Sequence, residues 1–194
     1  FHFVAGRGGL EHYPIYLLCG LIPWTWHANA ISMGTTSITL NGPLINKIYF
    51  PTEILPLVMV CANFIHFLFG MGLFLVFITF FGYGIHIGFL WIPVLWVIQA
   101  LLISGIVLIL APLQVFYRDV QNILNVGIQV WFFMTPIIYP ITLIPESLQP
   151  WFSLNPMVGI VQGYQNIMYQ GGSISLLNIS ILLCLSFLIF LEGY

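Results

Sequence analysis

Charge is almost missing from this chain. Its 194 residues include three Lys or Arg and five Asp or Glu, 4% in all, where a soluble domain carries about a quarter. So few charges cannot keep a water-facing surface dissolved. The shortage also removes any basic patch, and with it a nucleic-acid role. Lipid is the solvent that tolerates such a surface, and a 60% apolar content fits it.

Several chemical signatures are missing as well. No Gly-x-x-x-x-Gly-Lys-Ser/Thr loop occurs, so the chain does not itself hold ATP through a phosphate loop. Gly6-Arg7-Gly8-Gly9 lacks the Lys and the preceding strand, and Gln170-Gly171-Gly172-Ser173 reads as a flexible entry to the last apolar run. The three cysteines, Cys19, Cys61 and Cys184, stand alone. Without a Cys-x-x-Cys they offer no metal or redox pair and read as small apolar fillers. The five histidines, His2, His12, His27, His66 and His86, show no pair at i, i+3 or i, i+4, so no metal site is expected. His27 and His66 fall inside apolar runs and read as neutral, hydrogen-bonded side chains, with a proton relay or substrate contact as the alternative. No carboxylate lies deep in such a run, which argues against a carrier driven by an ion gradient. An initiator Met is absent, and Phe190-Leu191-Glu192-Gly193-Tyr194 ends without a polar tail. Both ends are read as edges of a fragment.

What is present is long apolar sequence. A spanning helix needs about 20 mainly apolar residues. Five stretches meet or approach that: about 14–36, 57–81, 89–113, 123–139 (the shortest) and 173–191. Phe1 to Ala5 reads as the tail of an earlier span. A β-barrel requires segments of about ten residues that alternate apolar and polar, whereas Phe67 to Phe81 and Ile179 to Leu191 are almost continuously apolar. The expected fold is an all-α integral membrane protein, a single domain over 1–194 with five full transmembrane helices.

The charges gather in connections. Lys47 and Glu53 lie between the first two spans, and Arg118 and Asp119 between the third and fourth. These loops fall on one side of the membrane. The other side holds Arg7 and Glu11, the turn from Gly82 to Gly88, and a long segment from Pro140 to Gly172 with no Lys or Arg. The positive-inside rule puts Lys47 and Arg118 in the cytoplasm.

The long outer segment is punctuated by Tyr139-Pro140, Ile144-Pro145, Gln149-Pro150 and Asn155-Pro156, with Ile141, Leu143, Leu148, Trp151, Phe152 and Leu154 between them. It is too apolar to float in water. Short helices that dip back into the outer leaflet, packed against protein, satisfy its backbone. Pro145-Glu146-Ser147 suits one helix start, with Glu146 near the positive end of the dipole. Asn155-Pro156 suits another, with Asn155 as cap.

Two inner loops carry the remaining information. In the first, Leu44, Ile45, Ile48 and Tyr49 form one face of a short helix between Asn41-Gly42-Pro43 and Pro51. It reads either as a plain interfacial helix with Lys47 toward phosphate or water, or as a docking helix for a soluble partner. In the second, Arg118 and Asp119 are adjacent and point to different helix faces. They read either as a solvated helix end or as a contact to a partner or to the neighbouring loop.

Read in order, these loops and spans resemble the permease subunit of type 2 ABC exporters of polysaccharides, the O-antigen, capsule and teichoic acid exporters. The resemblance rests on Gly20-Leu21-Ile22-Pro23-Trp24, on Asn41 to Pro56 and above all Ile45 to Pro56, on Val115-Phe116-Tyr117-Arg118-Asp119-Val120, on Trp131 to Pro140, and on Leu154-Asn155-Pro156-Met157. Each piece is short, and together they cover most of the chain in the family's order. The family begins with a cytoplasmic interface helix and a complete first span. Here that helix and most of that span are missing, so the five runs correspond to its second to sixth spans.

The resemblance implies a multi-pass protein of the bacterial cytoplasmic membrane that moves a lipid-linked glycan. It implies a permease homodimer among membrane lipids, with two separate ATPase subunits beneath that carry the ATP and Mg. The chain would then be no enzyme and would need no cofactor of its own. Lys47, Ile48, Tyr49, Phe50, Pro51 and Glu53 would dock on the ATPase, with Arg118 and Asp119 supporting that face. Pro140, Glu146, Asn155 and Pro156 would belong to gate helices at the exit. Aromatic rings offer flat faces to sugar C–H groups, so Trp24, Trp26, Trp131, Phe132, Phe133 and Tyr139 are candidates for the lining; the competing reading is an interfacial aromatic belt. Competing functions are a type 2 exporter of a lipid or small hydrophobic drug, a membrane-embedded lipid-linked transferase, and an ion-coupled carrier.

Overall fold

A computed structural model of the chain describes residues 12–45, 51–82, 84, 86–145 and 147–194. Every regular element among them is helical. The first is α1 (Tyr13–Leu40), followed by the four-residue α2 (Gly42–Ile45). Next come α3 (Ile54–Phe80) and, after a 3₁₀ turn at Ile87–Trp91, α4 (Ile92–Phe116). Then α5 (Val120–Phe133) leads through a 3₁₀ turn at Ile141–Leu143 to the short α6 (Gln149–Ser153). The chain ends with α7 (Pro156–Met168) and α8 (Leu176–Gly193).

Among the described residues, three helices are long and apolar enough to cross a membrane: Ile54–Phe80, Ile87–Phe116 and Leu176–Gly193. At 1.5 Å per residue α1 reaches about 42 Å, but it carries His27, Asn29 and a Ser/Thr-rich second half. The fourth expected span differs from the sequence reading. Its helix stops at Phe133, and the chain from Met134 to Tyr139 is irregular. Pro136 explains the break, since it has no N–H to donate and its ring clashes with the preceding turn. With 14 residues, α5 is about 21 Å long, short of the ~30 Å hydrocarbon layer.

Burial sorts the helices into central and flanking ones. α1 packs against α3, α4, α5 and α7, and α4 against α1, α3, α7 and α8. Both are buried on several faces. α3 buries one stripe, Val60, Asn63, Phe67, Met71, Phe74 and Ile78, at the three-or-four spacing of a helix with one protein face. α8 does the same with Ile179, Leu182 and Ser186. Their other faces expose Phe69, Leu73, Phe80, Leu177 and Leu188, as lipid-facing helices do.

One close approach fixes the α4–α8 pair. A Cβ built on Gly105 would lie 2.6 Å from the Phe190 backbone nitrogen and 2.7 Å from the Ile189 carbonyl. Only glycine lets the two backbones meet there, the small-residue packing that membrane helices use where no hydrophobic drive separates lipid from protein.

The first of the two helix starts expected in the outer segment comes later than the sequence suggests. Pro145 does not open a helix; α6 begins at Gln149, with Pro150 in its first turn. Pro150 has the pre-set φ that suits that place. Asn155 does cap α7, its side-chain oxygen accepting the Met157 N–H at 3.0 Å, with Pro156 in the first turn. α7 is buried along most of its length, wedged between α1, α4 and α8.

Candidate functional site

The expected site residues fall at two ends of the bundle and in an aromatic layer between them. At one end lie the last turn of α1, the first turn of α3, and the α4–α5 connection. Pro51 and Glu53 are exposed just before α3, and Arg118 and Asp119 are exposed before α5. Asp119 sits at the α5 N-cap position without a side-chain cap bond, where its charge still suits the positive dipole end. The connection is held by Gln114, which donates to the Arg118 carbonyl at 3.1 Å and accepts from the Gln121 N–H at 2.8 Å. Gln121 in turn donates to Ser32 Oγ on α1 at 2.9 Å. Arg118 and Asp119 are therefore presented on a braced turn. Lys47, Ile48, Tyr49, Phe50 and Glu146 lie outside the described residues, as do Arg7, Glu11 and the expected remnant of an earlier span.

At the other end, the first turns of α1 hold the segment that follows α5. Tyr13 donates its hydroxyl to the Ile138 carbonyl at 2.8 Å, and Tyr16 donates to the Tyr139 carbonyl at 3.2 Å. Tyr139 donates back to the Phe133 carbonyl at 2.7 Å. Gln165 on α7 donates to the Pro136 carbonyl at 3.3 Å. The carbonyls that Pro136 and the irregular stretch leave without helical partners are in this way satisfied by side chains, as backbone at membrane depth requires.

Between the two ends, α1 turns two tryptophans to opposite sides. Trp26 stacks on Phe67 at 4.8 Å and meets Phe64 at 4.9 Å, both on α3. It is 2% exposed. Trp24 faces α5, 5.5 Å from Phe132 and 6.2 Å from Trp131. Of the expected aromatic set, Trp24, Trp131 and Phe132 thus come together. Phe133 stacks edge-on to Phe132 at 5.5 Å and is exposed. Trp26 belongs to helix packing against α3.

His27 corrects an expectation. It is fully buried, 4.7 Å from the Trp131 ring and 5.5 Å from that of Trp24. Neither ring nitrogen has a hydrogen-bond partner among the described residues. The Trp24 and Trp131 rings lie against it, and the Trp131 N–H is taken by Asn155. His66 is exposed on α3 and also makes no hydrogen bond among the described residues.

Two polar constructions escaped the sequence reading. The first is a buried relay: Tyr164 on α7 donates to Gln99 Oε1 on α4 at 3.1 Å, and Gln99 Nε2 donates to the Pro23 carbonyl on α1 at 2.8 Å. The signal was available, since a lone amide in an apolar run must find a partner when lipid offers none. The second joins Trp131, Thr135 and Asn155. Asn155 Oδ1 accepts the Trp131 indole N–H at 2.9 Å, and Asn155 Nδ2 donates to Thr135 Oγ1 at 3.3 Å. The cap of α7 is therefore bolted to the last turn of α5. Among the described residues, no group of three His, Cys, Asp or Glu is placed to hold a metal ion.

Comparison with known proteins gives this arrangement relatives. The profile of the ABC-2 type transporter family matches residues 2–169. Two proteins of Klebsiella pneumoniae, each described as an O-antigen export system permease protein RfbA, are both 29% identical to the chain. One aligns over 188 residues, 96% of this chain and 72% of its own length; the other over 177 residues, 91% and 68%. A protein of the same description from Myxococcus xanthus is 31% identical over 169 residues, 86% of this chain and 65% of its own length. The chain thus spans roughly two thirds of these relatives.

Proposed function

The chain belongs to the ABC-2 type transporter family, and from that premise we propose that it is the membrane-spanning subunit of an ATP-driven exporter of a lipid-linked polysaccharide. The observation that carries this reading is the likeness to O-antigen export permeases over 86–96% of the chain. In this reading α1, α3, α4, α5 with its Met134–Tyr139 continuation, and α8 are five spans. The segment from Pro140 to Met168 re-enters the outer leaflet as gate helices. The subunit works as a homodimer in the cytoplasmic membrane, and a separate ATPase subunit binds ATP and Mg.

The proposed coupling runs through named contacts. ATPase closure pushes the loop from Lys47 to Glu53, with Arg118 and Asp119 on the braced turn beside it. α3 carries the push to α1 through Phe64, Phe67 and Trp26. α1 passes it to α5 through Trp24, and the Trp131–Asn155 bond delivers it to α7. Each step is a packed contact between rigid helices, the kind of contiguous element that can hold two arrangements. Trp24, Trp131, Phe132, Phe133 and Tyr139 would offer ring faces to sugar along this route, with Pro140, Glu146, Asn155 and Pro156 at the exit.

The test is partnership. Purified from its own host in mild detergent, the permease should bring down an ATPase subunit, and the pair should hydrolyse ATP. Recovery of the chain with no nucleotide-binding partner, together with turnover of a lipid-linked sugar by the chain alone, would contradict the reading and favour a transferase.

A further inference from the structure

A cavity of about 330 Å³ opens between α7 and α8, at the end of the bundle away from Glu53 and Arg118. That volume lies within the range of small-molecule sites, about 300–1,000 Å³. Its polar wall is made of uncharged groups: Gln162 and Asn166 on one face of α7, Asn178 on α8, and Ser153 at the end of α6. Val158 and Leu182 supply an apolar side. Ser153 donates to the Pro150 carbonyl at 2.7 Å. The three amide side chains make no hydrogen bond among the described residues.

Each free amide brings two N–H donors and a carbonyl acceptor. Three of them around one cavity match adjacent hydroxyls, each of which both donates and accepts. The apolar side suits the C–H face of a ring. An anion finds no compensating charge among the described residues that line the cavity, and the segment from Pro140 to Gly172 contains no Lys or Arg. An acyl chain would offer none of the three amides a hydrogen-bond partner.

We propose that this cavity binds an uncharged sugar ring at the outer end of the permease. Its use as a station on the export route rests on the glycan cargo proposed above; the binding chemistry itself does not. The same ring chemistry has two sources, the exported glycan and the headgroup of a neutral membrane glycolipid.

The test uses the permease–ATPase complex in phosphatidylcholine nanodiscs and saturation-transfer NMR. The probes are the methyl glycosides of mannose, galactose and rhamnose, with glucuronic acid as the anionic control. Transfer is expected from at least one neutral glycoside and not from glucuronic acid. Gln162→Leu and Asn178→Leu should each weaken binding about five- to tenfold, the worth of one hydrogen bond. Asn178 is exposed, so Asn178→Leu keeps the helix packing, and an unchanged elution volume confirms the fold. Displacement of the glycoside by a neutral glycosyl diacylglycerol but not by maltotriose makes the ring a lipid headgroup; the reverse makes it part of the glycan; either upholds the site. No transfer from any neutral glycoside, equal transfer in both variants, or preference for glucuronic acid overturns it. ATP-driven export by the same variants is scored separately: full export without sugar binding sinks this site and leaves the exporter reading standing.

Discussion

The indole N–H of Trp131 donates to the Asn155 side-chain oxygen at 2.9 Å, and the same oxygen accepts the Met157 amide at 3.0 Å. One atom therefore both starts α7 and ties it to α5. Asn155→Ala removes both bonds. It should cost about 1 kcal/mol for the cap and about another for the lost partner of a half-buried indole. Trp131→Phe keeps the cap and puts a smaller aromatic ring in the indole's place, losing the tie and some packing against His27 and Trp24 but neither the cap nor the Asn155 side chain, so it should cost less. Thermal unfolding of the purified permease, followed by tryptophan fluorescence, checks the order wild type, Trp131→Phe, Asn155→Ala. An Asn155→Ala protein as stable as wild type would remove the bolt from the account.

Two glycine substitutions should have opposite signs. Gly105→Ala drives a methyl into the α8 backbone at 2.6–2.7 Å, an overpacking that costs about 1–3 kcal/mol. Nothing lies within 4 Å of a Cβ on Gly70 in α3. Gly70→Ala should therefore stabilise by up to about 1 kcal/mol, the helix preference for alanine. Melting temperatures of the two variants in the same detergent decide it, and a rise for Gly105→Ala would mean that α4 and α8 do not cross at that residue.

The buried relay from Tyr164 through Gln99 to the Pro23 carbonyl predicts a coupled pair. Gln99→Leu strands a buried hydroxyl and a buried carbonyl, at about 1–3 kcal/mol. Tyr164→Phe removes only the hydroxyl. In the double variant the hydroxyl is no longer stranded, so the combined loss should fall short of the sum. A double-mutant cycle by denaturant unfolding tests this, and strict additivity would show that the two side chains do not meet.

Much of this was legible in the sequence. The long apolar runs gave α3, α4 and α8 to within a few residues, because in lipid nearly every residue of a span must be apolar. Asn155-Pro156 announced its helix, since a cap and a first-turn proline are local chemistry. The end of α5 was not legible as drawn: Trp131 to Tyr139 stays apolar, and hydropathy does not register that Pro136 breaks the ladder. The extent of α7 was hidden for the opposite reason. Its Gln162, Gln165 and Asn166 look like loop residues until helices from three sides surround them. The fate of His27 depended on which rings α5 would bring against it, and that is a tertiary fact.

The exposed Glu53 at the foot of α3 tests coupling. Glu53→Ala should leave the unfolding free energy within about 0.5 kcal/mol of wild type, as for an exposed surface change, while ATP-driven export falls. Stability and export measured on one preparation separate the two effects. Export at the full rate would remove Glu53 from the coupling path.

In the proposed function, this chain passes a polysaccharide through the membrane on energy from a partner. Inside-out membrane vesicles containing the permease and its ATPase, loaded outside with radiolabelled lipid-linked glycan and ATP, measure it directly. Glycan should become protected from added glycosidase only when both subunits and hydrolysable ATP are present. Protection that persists with a hydrolysis-dead ATPase, or without the permease, would contradict the account.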